Sequence, residues 1–106
     1  MKLIIREYLS TEGRNYFREW IDSLAVTVKA RIQARILRFE TCNLGDTKSV
    51  GAGVWEARIM FGPGYRIYFG KEGRSIILLL LGGDKSSQAG DIQKAQRIWK
   101  KYLEDK

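Results

Sequence analysis

The chain contains no histidine, one cysteine and one proline. Without histidine the usual proton shuttle at neutral pH is missing, so any catalysis has to run on Arg, Lys, Glu, Asp, Tyr or Ser. That restriction favours chemistry on phosphates, where fixed positive charge can stabilise charge developing on oxygen. Cys42 has no second cysteine to pair with, and no Cys or His partner with which to build a soft-metal site. No metal or other cofactor is therefore expected, and a reducing, cytoplasmic compartment is. Lying in a helix-like pattern, Cys42 is expected as a buried thiol. Long apolar runs are also missing. The longest, Ile76 to Leu81, is far short of a membrane span. The opening Met1-Lys2-Leu3-Ile4-Ile5 turns charged at Arg6-Glu7, too soon for a signal-peptide hydrophobic region.

What is present is positive charge. Nineteen Lys and Arg against twelve Asp and Glu leave a net charge of +7, the electrostatic footprint of a nucleic-acid binder. At 106 residues the chain reads as one domain, 1–106, able to bury a single core. A first strand is expected over Lys2 to Tyr8, ending at a Ser10-Thr11 helix-cap signal. Tyr16, Phe17, Trp20 and Ile21 share one face of a helix from Thr11 to Asp22. A second helix, Leu24 to Leu44, carries Val28, Ile32, Ile36 (or Arg35) and Phe39 on one stripe, with Gly45 as its C-terminal cap. A break around Ser23 makes the pair a helical hairpin.

Strands follow. A short one is expected over Asp46 to Val50, a hairpin over Val54 to Met60 and Tyr65 to Lys71, and a strand covered on both faces over Ser75 to Leu81. A last helix, Asp91 to Leu103, has a packing stripe of Ile92, Ala95, Trp99, Tyr102 and Leu103. The order implies an α+β fold: an N-terminal strand and helical hairpin on a mainly antiparallel sheet of about four to five strands, then a C-terminal helix.

Parity in the hairpin sharpens this. Trp55, Ala57, Ile59 and Phe61 share one face with Tyr65, Ile67 and Phe69 only if the connecting loop holds an odd number of unpaired residues. Gly62-Pro63-Gly64 or Phe61-Gly62-Pro63 would serve. Glu56, Arg58, Arg66 and Tyr68 then emerge together on the other face, with Arg58 and Arg66 as cross-strand neighbours. Two facing arginines are unfavourable unless something negative lies between them. Glu56 can supply part of that and a bound phosphate the rest, a task suited to the planar guanidinium. A solvated face with a weak ion pair is the plain alternative. Gly82-Gly83-Asp84-Lys85-Ser86-Ser87 adds a phosphate-friendly loop with two glycines, a lysine and two hydroxyls, though without the P-loop spacing.

These pieces together resemble a known family. Trp55-Glu56-Ala57-Arg58-Ile59, then Gly62-Pro63-Gly64-Tyr65-Arg66-Ile67-Tyr68, a Leu-rich strand, Gly83-Asp84-Lys85-Ser86-Ser87-Gln88, and Asp91-Ile92 with Ala95 beyond, look like the HigB-like, phage-associated addiction-module killer proteins of the RelE/ParE toxin superfamily. The resemblance runs along nearly the whole chain, including the Phe17-Arg18-Glu19-Trp20 helix. It implies a RelE-like fold and a type II toxin that inhibits translation by ribosome-dependent cleavage of mRNA. It also implies a cognate antitoxin, commonly a helix-turn-helix protein. Arg66 corresponds to the arginine of the family's Gly-Tyr-Arg motif, Arg58 to a basic residue on the preceding strand, and Lys85 to a late basic residue.

The expected roles follow. Arg66 and Arg58 hold the phosphate, Glu56 is the general base, and Lys85 is the general acid or a further charge stabiliser. Tyr68 orients or stacks on a nucleotide, and Lys48, Ser86 and Ser87 join it in holding RNA. Glu56 departs from relatives with a basic residue at its position, and the late histidine of other branches is missing. The ParE branch of the same fold targets DNA gyrase, and a non-catalytic basic binding module is a further alternative.

Overall fold

The computed structural model describes residues 2–106. In chain order the elements are β1 (Ile4–Glu7), α1 (Tyr16–Asp22), α2 (Val26–Phe39), β2 (Thr47–Ser49), β3 (Val54–Ile59), β4 (Tyr65–Glu72), β5 (Ile76–Asp84) and, after a 3-10 turn at Lys85–Ser87, α3 (Gln88–Glu104). The strands form one sheet in the order β1-β5-β4-β3-β2. Only β1 and β5 run parallel; every other neighbouring pair is antiparallel. The α+β architecture with a mainly antiparallel sheet is thus observed.

Both N-terminal helices are shorter than their apolar patterns imply. Ser10 closes a turn instead of capping a helix: its Oγ accepts the Arg14 N–H at 2.8 Å, and Gly13 takes φ +86°. The cap of α1 is Asn15, whose Oδ1 accepts the Arg18 N–H at 2.9 Å. At the far end of α2 the chain turns at Cys42, φ +67°. The Cys42 N–H bonds back to Phe39 O and the Asn43 N–H to Arg38 O, at 2.9 and 3.1 Å. That is a Schellman closure with cysteine in the seat usually given to glycine. Cys42 is therefore exposed, contrary to the expected buried thiol, because the helix ends before it. Gly45, φ +69°, turns the chain into β2 and is not the helix cap.

The hairpin pairs Ile59 with Tyr65, so residues 60–64 form a five-residue loop. The count is odd, as parity requires, although longer than the three-residue loops expected. Ala57, Ile59, Ile67 and Phe69 face a core completed by Phe17 and Ile21 of α1 and Ile32 and Phe39 of α2. The opposite face is not solvated. There α3 lays Ala95, Ile98 and Trp99 over Val54, Tyr68, Leu78 and Leu80. Gly70 makes this possible, because a Cβ there would stand 2.3 Å from the Trp99 ring.

β5 extends through Gly82, Gly83 and Asp84, which were expected to form a loop. Its register slips by one residue: Tyr68 pairs with Leu81, but Phe69 pairs with Leu79. Leu80 is the extra residue of a bulge, and beyond it the alternation of faces is inverted. Gly82 consequently lies beneath Trp20 of α1, where a Cβ would come within 2.2 Å of the indole. Gly83 faces the other way, and its missing Cβ would lie 1.9 Å from Asp91 Oδ2 on α3. The glycines stay in the strand because two bulky neighbours occupy the space of their side chains.

Candidate functional site

Arg58 and Arg66 are direct cross-strand partners in the β3–β4 ladder. Unscreened, such a pair is destabilising. Two carboxylates flank it. Asp46 reaches Arg58, with Oδ2 3.2 Å from Nε and Oδ1 accepting from Nη2 at 3.3 Å. Glu56 Oε2 stands 3.6 Å from Arg66 Nε, and its Oε1 is 4.0 Å from Lys48 Nζ. Glu56 is wholly buried, at 0% exposure. Gln88, the first residue of α3, donates from Nε2 to Glu56 Oε2 at 3.0 Å. The helix start that covers the sheet thereby also seals the carboxylate.

Hydrogen bonding in this cluster is incomplete. Among the described residues, the buried side-chain polar atoms without a hydrogen bond are Glu56 Oε1, Arg58 Nε, Arg66 Nε and Nη1, and the Tyr68 hydroxyl. Buried donors are nearly always satisfied, so a concentration of unsatisfied ones on two neighbouring arginines calls for an acceptor. Arg66 has only 11% of its side chain exposed. Its guanidinium, with Arg58 and Lys85, lines a groove of about 430 Å³ bordered by the 60–64 loop. The loop is tied down at that rim, since the Lys85 N–H donates to Gly64 O at 3.2 Å.

The other expected residues divide clearly. Lys48 is exposed on β2, above Glu56. Ser86 is occupied, its Oγ donating to Asp84 Oδ1 at 2.5 Å. Hydrogen bonds from Ser86 hold the Asp84 carboxyl below its ordinary range. Ser87 Oγ donates to Asp91 Oδ2, also at 2.5 Å. Tyr68 is wholly buried in the α3-side core, so its ring offers no open face for a nucleotide to stack on. Burial, and then the charge of Glu56, push the Tyr68 phenol pKa well up, which keeps it protonated. Glu56, sealed beneath the arginines, does not line the groove, contrary to the expectation that it reaches the same open face as Lys85.

Two positioning residues escaped the sequence reading. Arg35 is buried on the inner stripe of α2 and donates to four backbone acceptor contacts: Nε and Nη2 to Leu44 O at 3.2 and 2.9 Å, Nη2 to Asp46 O at 3.1 Å, and Nη1 to Arg58 O at 2.7 Å. It binds the backbones of both Asp46 and Arg58. Burial lowers its pKa, an effect small beside its ordinary value. The signal was its place on the stripe of Ile32 and Phe39, where an arginine needs acceptors. Gln88 is the second, and no periodicity marks it.

Fold and site together define an α+β domain with a basic, partly buried arginine pair opening on a groove. No family model matches the chain. It is 44% identical over 83 residues to a protein of Haemophilus influenzae described as uncharacterized, across 77% of this chain and 84% of the relative. The chain belongs to the same family as that protein.

Proposed function

We propose that this protein is a RelE-like toxin of a toxin-antitoxin module that cleaves mRNA on the ribosome and is held in check by a cognate antitoxin. The observation that carries the reading is the Arg58–Arg66 pair, with guanidinium donors buried and unsatisfied at a groove shared with Lys85. A phosphodiester supplies the missing acceptors and the negative charge that two facing arginines require. In the reaction a ribose 2′-oxygen attacks the adjacent phosphorus and the bond to the 5′-oxygen breaks. This leaves a 2′,3′-cyclic phosphate and a 5′-hydroxyl. The arginines stabilise the charge on the phosphoryl oxygens, the Lys85 ammonium protonates the departing 5′-oxygen, and solvent in the open groove takes the 2′-hydroxyl proton. Glu56, which we first read as the base, acts from beneath as the counter-ion that orients Arg66.

The test is cleavage of ribosome-bound mRNA, with mapping of new 5′-hydroxyl ends. Arg66→Ala is expected to cut on the order of a hundredfold more slowly, the usual cost of losing one donor to a transition-state oxyanion. A folded Arg66→Ala protein that cleaves at the full rate would sink the assignment. Induction of the DNA-damage response on expression, with messages intact, would instead mark a gyrase-directed toxin.

A further inference from the structure

The groove has two chemically different walls. Arg58, Arg66 and Lys85 form one; Met60, Phe61 and Pro63 of the hairpin loop form much of the other. Met60 is 85% exposed, far more than any neighbouring apolar side chain of β3. The wall is also preorganised. The Arg31 guanidinium sits over the Phe61 ring, 4.1 Å from its centroid, and the Gly64 N–H closes the turn on Phe61 O at 3.0 Å. A lone phosphate would use the cationic wall and leave the apolar one wet. At about 430 Å³ the groove has room for more than a phosphate.

We infer that the Met60–Phe61 wall is a subsite for the base of the nucleotide whose phosphate lies on Arg58 and Arg66, so that the groove seats one nucleotide unit of a single strand. This rests on the phosphate-binding part of the reading above. Every base has an apolar π-face that such a wall can hold, whereas no carboxylate or side-chain amide lines the groove to read base edges. The subsite therefore holds a base without selecting strongly among the four.

The test is binding of two short single-stranded deoxyoligonucleotides, which lack the attacking 2′-hydroxyl: one of ordinary sequence, the other with stable abasic sites throughout. Fluorescence anisotropy gives both affinities. The base-bearing strand is expected to bind at least about fivefold more tightly, the lower end of a stacking contribution. Met60→Ala, a change at an exposed position that leaves the core untouched, should erase most of that difference while leaving abasic binding as it was. Arg66→Ala should weaken both strands. Equal affinity for the two strands, or a difference that survives Met60→Ala, overturns the base subsite and leaves the phosphate reading standing. Failure of the unaltered protein to bind either strand overturns both.

Discussion

Glu56 is held by side chains from three elements: Arg66 of β4, Lys48 of β2 and Gln88 of α3. Glu56→Ala removes the negative charge from beneath a nearly buried guanidinium, and breaking such a pair from one side typically costs about 3 kcal/mol or more. Urea denaturation should show that loss, and Glu56→Gln, which keeps the shape and one acceptor, should lose less. Parity in the sequence was enough to put Glu56, Arg58, Arg66 and Tyr68 on one face. It could not say what covers that face, because alternation reports which side chains point together and nothing of the layer above. Arg58 and Arg66 remain at the groove; Glu56 and Tyr68 lie under α3. The covering was in principle readable from Gly70, which breaks the run of side chains on that face opposite a helix bearing Trp99.

At the scale of elements, strand existence was plain from alternation, and the boundaries were not. Ser10 and Gly45 both carry cap signals, yet each serves a turn outside the helix, since Asn15 and Cys42 provide the closures instead. The bulge at Leu80 was hidden for a related reason: a run of leucines has no polar residue to reveal a change of face. Its consequence is testable at Gly82. Gly82→Ala places a methyl group 2.2 Å from the Trp20 indole. Because α1 has to shift or the ring has to turn, the substitution should destabilise the fold by about 1–3 kcal/mol, as overpacking does. The denaturation midpoint reads this directly, and Trp20→Leu introduced together with Gly82→Ala should recover part of it.

The whole molecule ties its N-terminal strand to α1 by charge. Arg18 donates from Nε to Glu7 Oε1 at 3.2 Å and from Nη2 to Oε2, while Asn15 Nδ2 donates to Oε1 at 2.9 Å. The Arg18 hydrogen bond is the largest cause of a Glu7 pKa below its ordinary 4.5. A carboxyl lowered on folding adds stability that is present in full above its unfolded pKa and lost as pH falls through the folded one. Stability should therefore drop as the medium is acidified below 4.5. Glu7→Gln should flatten that part of the curve, by less than about 1 kcal/mol because the pair is partly exposed. Urea midpoints over a pH series check both. The single domain, its basic character and its α+β layers were legible in composition and element order. The mixed character of the sheet was not, since pairing of β1 with β5 joins the two ends of the chain across all that lies between.

The extra residue at Leu80 fixes how the chain can change. Before it, the side chains of β5 point to α1 and α2 on odd numbers; after it, on even ones. Loss of a single residue there would exchange the two faces of everything up to Asp84. Trp20 would meet Gly83 in place of Gly82, and Leu81 would turn from α3 toward the opposite core. The strand thus works as a phase setting between the two layers: substitutions along it are local events, whereas a change of length by one rewires both cores and re-aims Lys85 at the groove.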